Sequence, residues 1–149
     1  MQIYKLSKLL LAFGLILLTV ACDEDSDQVL KDIIKEDLGY LPVITSFSLS
    51  SPSATAVQAG SSLTFDLRYW SEADIREIRL LSAVGDAEPT LIDTFPYESA
   101  YSSVSRTDSL MMNYQLPANL PSGTEIRFDA VVINENENSR TRSASLTIN

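Results

Sequence analysis

The hydrophobic pattern of this chain changes twice along its length. An unbroken apolar run covers residues 9–18, and acidic residues follow shortly after it. Between Gln28 and Leu38 the apolar residues recur at the three- and four-residue spacing that places them on one side of a helix. From Leu41 onward they recur at every second position, which is typical of strands with one buried face. The pattern therefore predicts a short helix followed by a β domain.

Several later segments carry the alternating pattern. The clearest places Leu63, Phe65, Leu67 and Tyr69 on one face, which leaves Trp70 exposed on the other. The predicted strands cover residues 44–49, 63–70, 75–83, 91–95, 110–116, 126–133 and 144–148. Turn-forming residues separate them, and no helical period after residue 40 is long enough for a crossover helix. The sequence predicts an all-β fold, an antiparallel β-sandwich of about seven strands.

The first 21 residues have the three parts of a secretory signal. Lys5 and Lys8 give a positive start, residues 9–18 form a short apolar core, and the small residue Ala21 ends the segment. At about 1.5 Å per residue, such a run is too short to span a bilayer core of about 30 Å comfortably. The segment therefore predicts export rather than a membrane-spanning helix.

The end of this segment resembles a bacterial lipobox, the motif read by lipoprotein signal peptidase. The matching residues are Leu18-Thr19-Val20-Ala21-Cys22, with Thr19 where the family usually has leucine. The resemblance implies that residues 1–21 are a signal peptide and that Cys22 becomes the acylated N-terminus. A plain secretory signal and an uncleaved anchor are the alternative interpretations. More than one acyl chain gives stable membrane attachment, so the resemblance implies a permanent anchor.

Residues 22–40 are predicted to form an acidic tether that contains the short helix. The run of acidic residues from Asp23 to Asp27 predicts an extended spacer through self-repulsion. The same run resembles the surface-export signal of Bacteroidetes lipoproteins, which implies that the protein faces outward from the cell. The expected location is the cell envelope, with the chain lipid-anchored to the outer membrane.

The body, residues 41–149, resembles the immunoglobulin-like domains of Bacteroidetes surface lipoproteins. The segments that carry this resemblance are 42–44, 57–61, 121–124 and 134–139. The resemblance implies an immunoglobulin-like sandwich. This fold serves many functions, so it does not by itself name one.

Composition excludes several classes of function. The chain has no histidine and one cysteine, which removes histidine-dependent nucleophile systems and histidine-ligated metals. Removal of residues 1–21 takes away two lysines and no acids, so the net charge changes from −9 to −11. A charge of that sign disfavours nucleic acid, whose phosphates require basic residues. No enzyme activity, cofactor or metal is therefore expected.

Exposed aromatic residues are the candidate ligand-binding side chains. Trp70, Tyr97 and Tyr101 could form a platform whose ring faces stack on sugar rings. Packing in the core or at a sheet edge is the alternative interpretation of these three residues.

Two further motifs carry weaker indications. Carboxylates and amides at Asp86 and Glu88, and again in the segment 134–138, could ligate calcium, although polar hairpin turns explain them as well. Asp108-Ser109-Leu110 resembles the acceptor motif for O-glycosylation in Bacteroidetes, which implies a sugar on Ser109.

Two functions remain open at this point. The first is a membrane-anchored cell-envelope lipoprotein that acts as a non-catalytic interaction or assembly module, with another envelope protein as its partner. The second is a glycan-binding surface lipoprotein of a nutrient-uptake system.

Overall fold

A computed structural model describes residues 40–53 and 56–149 of the chain as a β-sandwich. Its strands are β1 (Val43–Ser51), β2 (Ala56–Val57), β3 (Ser62–Trp70), β4 (Ile75–Val84), β5 (Thr90–Pro96), β6 (Asp108–Gln115), β7 (Glu125–Asn134) and β8 (Ser139–Ile148). The predicted export signal, Cys22, the acidic tether and the short helix lie outside the described residues. No helix of the described ranges is long and apolar enough to cross a membrane.

The strands form two sheets with an immunoglobulin-like order. Sheet A has the order β1-β3-β6, and sheet B has the order β2-β8-β7-β4-β5. Every pair of neighbours is antiparallel except β2 and β8, which run parallel. The predicted all-β antiparallel sandwich is confirmed, and each of the seven predicted strands is present. The additional strand, β2, has two residues, which is too short to show an alternating pattern.

The alternating apolar residues meet between the two sheets. Leu63, Phe65, Leu67 and Tyr69 are all 1% exposed or less, and Trp70 points outward, as the alternation predicts. Because one face of each strand is apolar, the two inner faces bury each other and remove their hydrophobic surface from water.

Aromatic rings occupy the centre of this core. The ring of Phe65 lies 5.2 Å from that of Phe47 and 4.7 Å from that of Phe128, measured between centroids. Tyr114 packs edge-on against Phe128 at 5.5 Å. These contacts join β1, β3 and β6 of sheet A to β7 of sheet B, so they hold the two sheets together at mid-strand.

One prediction about β1 is wrong. Strict alternation places Thr45 on the same face as Phe47 and places Ile44 on the opposite face. In the structure Ile44 packs against the core and Thr45 is exposed. The register between β1 and β3 shifts between Ile44 and Ser46, and such a bulge adds one residue and reverses the faces beyond it.

The connection from β5 to β6 passes from sheet B to sheet A at one end of the sandwich. It covers residues 97–107 and joins Pro96, the last residue of β5, to Asp108, the first residue of β6. Asp108 pairs with Tyr69 near the end of β3. The connection therefore lies beside Trp70, the last residue of that strand.

Candidate functional site

Asp108 fixes the β5–β6 connection to the body of the sandwich. Its side chain is buried, with 6% of its surface exposed. Asp108 Oδ1 accepts a hydrogen bond from the backbone N–H of Ala100 at 2.8 Å, and Oδ2 accepts one from the hydroxyl of Tyr97 at 3.4 Å. A buried carboxylate is costly unless it is hydrogen-bonded, so both bonds favour this position of the connection.

The tip of the connection closes on itself. The backbone N–H of Ser102 donates to the carbonyl of Thr107 at 2.9 Å, and that of Arg106 donates to the carbonyl of Ser102 at 2.8 Å. Arg106 has a φ of 55°, in the left-handed region that non-glycine residues rarely adopt. This tight turn brings Arg106 to the side of the connection that faces Trp70.

A cavity of about 420 Å³ opens between the connection and the end of β3. Trp70, Ser71, Tyr101, Arg106 and Asp108 line it. Its volume is within the range of about 300–1,000 Å³ that is usual for small-molecule sites. The cavity therefore joins two aromatic rings, a guanidinium and a carboxylate in one place.

The structure separates the three aromatic residues predicted to bind a ligand. Trp70 and Tyr101 line the same cavity, with 37% and 59% of their surface exposed. Tyr97 is not among the residues that line it, and its hydroxyl is directed to Asp108. The first two can contact a ligand directly, whereas Tyr97 acts on the cavity only through Asp108.

The sequence pattern does not indicate three of the lining residues as parts of a site. Ser71 directly follows the strand that ends at Trp70, Arg106 stands in a serine-rich stretch, and Asp108 is predicted only as part of the glycosylation motif. Nothing in the spacing of these residues indicates a site, because the turn at Arg106 and the burial of Asp108 are tertiary features. The one signal in the sequence for a role of Asp108 is its position at the start of a strand, directly after a long connection.

Tyr69 lies opposite Asp108 in the pairing of β3 with β6. Burial raises the pKa of its hydroxyl above the usual value of a tyrosine, and electrostatic interactions with Asp108 and Tyr97 raise it further. The Tyr69 side chain is therefore neutral at every physiological pH, and it adds an uncharged hydroxyl next to the carboxylate of Asp108.

The remaining candidate motifs have structural surroundings of their own. In the segment 134–138 the Asn136 Oδ1 accepts the backbone N–H of Asn138, and the buried Asn134 side chain donates to the carbonyl of Tyr40 and the hydroxyl of Ser71, so both amides have structural partners. Among the described residues there is no group of three or more acidic or cysteine side chains that could hold a metal ion. In the glycosylation motif Asp108 is buried and Ser109 is half-buried within β6.

A larger cavity, of about 510 Å³, lies between the beginnings of β1 and β8. Arg140 and Arg142 line it together with Leu41 and Val43. Arg142 donates to the carbonyl of Thr45 at 3.1 Å, so this side chain already connects the two sheets. None of the residues that line it is aromatic. The cavity at Trp70 has aromatic rings as well as charged groups in its lining.

Comparison with known proteins gives a structural likeness alone. No protein-family model and no curated protein matches the chain. The sporulation control protein Spo0M of Bacillus subtilis matches 73% of this chain and 49% of its own at 13% identity and a TM-score of 0.43, so this chain spans about half of its length. A Niemann-Pick type C2 protein from the Japanese carpenter ant matches 72% of this chain and 91% of its own at 11% identity and a TM-score of 0.43. An engineered protein matches 72% of this chain and 19% of its own at 16% identity and a TM-score of 0.35. At these values nothing about ligands or function follows for this chain.

Proposed function

We propose that this protein is a cell-envelope lipoprotein, anchored to the outer membrane through Cys22, whose sandwich acts as a non-catalytic binding module. The observation that carries the binding role is the cavity between Trp70 and the β5–β6 connection. The export signal, the lipobox-like residues and the acidic tether of the sequence support the location.

The lining of the cavity favours binding over catalysis. Hydrolysis of a glycoside usually requires two carboxyl groups, one on each side of the scissile bond. Asp108 is the only carboxylate among the described residues that line the cavity. Both of its oxygens accept hydrogen bonds from the connection, so its first role is to hold the shape of the cavity.

Replacement of Cys22 by serine tests the anchor. A lipoprotein of this kind incorporates a labelled fatty acid and sediments with the outer membrane. We expect Cys22→Ser to abolish the labelling and to leave unprocessed or soluble protein, while Ser26→Ala keeps both properties. Labelling that persists in Cys22→Ser would contradict the anchor, and it would leave the binding role unaffected.

A glycan is the second candidate, as the ligand of the cavity. The faces of Trp70 and Tyr101 offer apolar surface to the C–H face of a sugar ring, and Arg106 offers several N–H donors to hydroxyl groups. Each oxygen of Asp108 keeps lone pairs beyond the bonds it accepts from the connection. This combination of flat apolar rings and polar groups suits a sugar better than a purely apolar ligand.

The glycan proposal has a local optical test, because Trp70 is the only tryptophan of the chain. Titration of the detergent-solubilised full chain with a panel of oligosaccharides should change the tryptophan emission for the ligand that binds. On a glycan array, the Trp70→Ala variant should lose binding to the same glycan. The Trp70→Phe variant should retain more of that binding. If no glycan of the panel binds the unmodified chain, the glycan proposal is wrong and the interaction role remains.

A further inference from the structure

The two sheets differ in width, and the difference leaves one side of the sandwich partly uncovered. Arg142 of β8 donates to the carbonyls of Ile44 and Thr45 in β1, which places these two strands opposite each other. Phe65 of β3 packs on Phe128 of β7. Continuing both strand orders from these contacts places β6 over β4, with Tyr114 of β6 also reaching Phe128 of β7, and leaves β5 beyond the last strand of sheet A.

The side chains at this overhang are only half-buried. Ile92 and Phe95 of β5 and Leu110 and Tyr114 of β6 pack against the core, yet each remains partly exposed. Fully covered core positions of the same sheets, such as Leu80 and Met112, are 0% exposed. A strand added to β6 would lie over β5 and cover these four side chains.

The outer edge of β6 also carries backbone groups that face away from β3. The backbone N–H of Leu116 donates to the carbonyl of Ser61. The N–H and C=O groups of every second residue counted back from Leu116 therefore point toward β3. In an antiparallel strand the intervening residues point their N–H and C=O groups to the other side. On β6 these are Ser109, Met111, Asn113 and Gln115, and the described residues pair β6 with β3 alone.

The other sheet edges carry features that hinder pairing. The register of β1 shifts twice along β3. The short β2 covers only Thr147 and Ile148 of β8, and the uncovered part of β8 carries the charged residues Arg140 and Arg142. In β5 the register shifts once, and the strand ends with Pro96. Proteins use bulges, proline, charge and short strands to protect exposed edges. By contrast, β6 pairs with β3 through eight consecutive residues without a shift, and residues 109–115 contain no charge and no proline.

We propose that the outer edge of β6 accepts one extended strand donated by a partner protein. The chemistry of the edge requires a strand with free backbone N–H and C=O groups, and with apolar side chains at alternate positions that point inward over Ile92 and Phe95. Uncharged side chains on its other face would continue the uncharged row formed by Ser109, Met111 and Asn113. The inference names a partner for the interaction role proposed above and rests on that role for its biological meaning.

A second copy of this chain does not fit the same edge. Pairing of two β6 edges would bring the projecting β5 of each copy under the β6 of the other, where β4 already lies. A single strand has no second sheet attached, so it can lie over β5 and beside β6 without this clash. The projecting β5 is therefore sterically compatible with a strand donated by a partner and incompatible with a symmetric dimer through β6.

Amide exchange at the edge tests the proposal with a defined probe. The probe is an uncharged peptide of alternating threonine and valine, as long as β6, added at millimolar concentration to the isotope-labelled full chain in detergent micelles. We expect the amides of Met111 and Asn113 to exchange freely without peptide and to slow by about tenfold or more when the peptide is added. The amide of Met112, which faces β3, should be protected with and without peptide. The same peptide with N-methylated residues should have no effect.

Two variants locate the binding to this edge. Asn113→Pro removes an N–H that faces outward, so pairing with β3 is retained while pairing with the added strand is blocked. Met111→Lys places a charge on the edge and leaves the backbone groups intact. Both should abolish the peptide effect, and Thr94→Lys on β5 should not. The proposal is overturned if the edge amides are already protected in the free chain, if the peptide leaves them unchanged, or if the chain dimerises through β6. None of these results bears on acylation of Cys22 or on ligand binding at Trp70, so the proposed function is judged separately.

Discussion

Asp108 lies directly opposite Tyr69 in the antiparallel register of β3 and β6, and both side chains are buried. Burial raises the pKa of the Tyr69 hydroxyl, and electrostatic interactions with Asp108 and Tyr97 act in the same direction. Ionisation of Tyr69 in the folded chain would place a second negative charge beside a buried carboxylate. The surroundings of the pair therefore favour the neutral form of Tyr69 in the folded chain.

Stability should fall at alkaline pH because of Tyr69. Its pKa is raised in the folded state, so the stabilisation is fully present below the unfolded pKa of about 10 and is lost as pH rises beyond it. The free energy of unfolding should decrease by at most about 1.4 kcal/mol per pH unit in that range from this group. Tyr69→Phe should remove this component of the slope.

Urea unfolding between about pH 8 and about pH 11 measures the effect. Tyr101→Phe is the matched control, because Tyr101 is 59% exposed. Equal pH profiles for the two variants would show that Tyr69 does not dominate the alkaline loss.

Asp108 should contribute more to stability than an exposed acid. Asp108→Ala removes the acceptor of the Ala100 N–H and of the Tyr97 hydroxyl. Hydrogen bonds to a charged group contribute about 1.5–3 kcal/mol, so we expect a loss of about 2 kcal/mol in the free energy of unfolding. Asp86→Ala, in an exposed turn, should change it by less than about 0.5 kcal/mol. Chemical denaturation of both variants at neutral pH checks this, and similar midpoints would contradict it.

Asn134 should also stabilise the fold through its side chain. It is 0% exposed, and its Nδ2 donates to the carbonyl of Tyr40 and to the hydroxyl of Ser71, both at 2.9 Å. These bonds join the end of β7 to Tyr40, three residues before β1, and to Ser71, directly after β3. We expect Asn134→Ala to lower the free energy of unfolding by about 1–3 kcal/mol.

The control for this change is Asn119→Ala at an exposed position. Thermal unfolding by circular dichroism should separate the two variants clearly. A melting temperature of Asn134→Ala equal to that of Asn119→Ala would mean that the buried amide contributes nothing net. Both Asn134→Ala and Asn134→Leu remove Oδ1, which has no hydrogen-bond partner among the described residues. Leucine also fills volume that alanine leaves empty, so Asn134→Leu should cost less than alanine.

Much of the fold follows from the period-two pattern. The core face of β3 is correct residue by residue, because a regular strand with one buried face must alternate. The error at Thr45 and Ile44 comes from the bulge in β1. A bulge is decided by pairing with β3, and the sequence of β1 itself contains no residue that requires it.

The site follows from the sequence only in part. Alternation predicts the exposure of Trp70, since Tyr69 must face the core. It says nothing about the connection 97–107, whose shape depends on hydrogen bonds to the buried Asp108 and on the turn at Arg106. Proximity in sequence grouped Tyr97 with Tyr101, and tertiary structure separates them.

The last prediction uses that separation. Tyr101 lines the cavity and is largely exposed, so Tyr101→Ala should weaken binding of a glycan identified with Trp70 by about tenfold and should change stability by less than about 0.5 kcal/mol. Tyr97 lies outside the lining and binds Asp108, so Tyr97→Phe should lower the free energy of unfolding by about 1 kcal/mol. Its glycan affinity should change less than that of Tyr101→Ala. Tryptophan-emission titrations and urea unfolding of both variants give the two quantities independently. Equal losses of affinity would mean that Tyr97 contacts the ligand as directly as Tyr101.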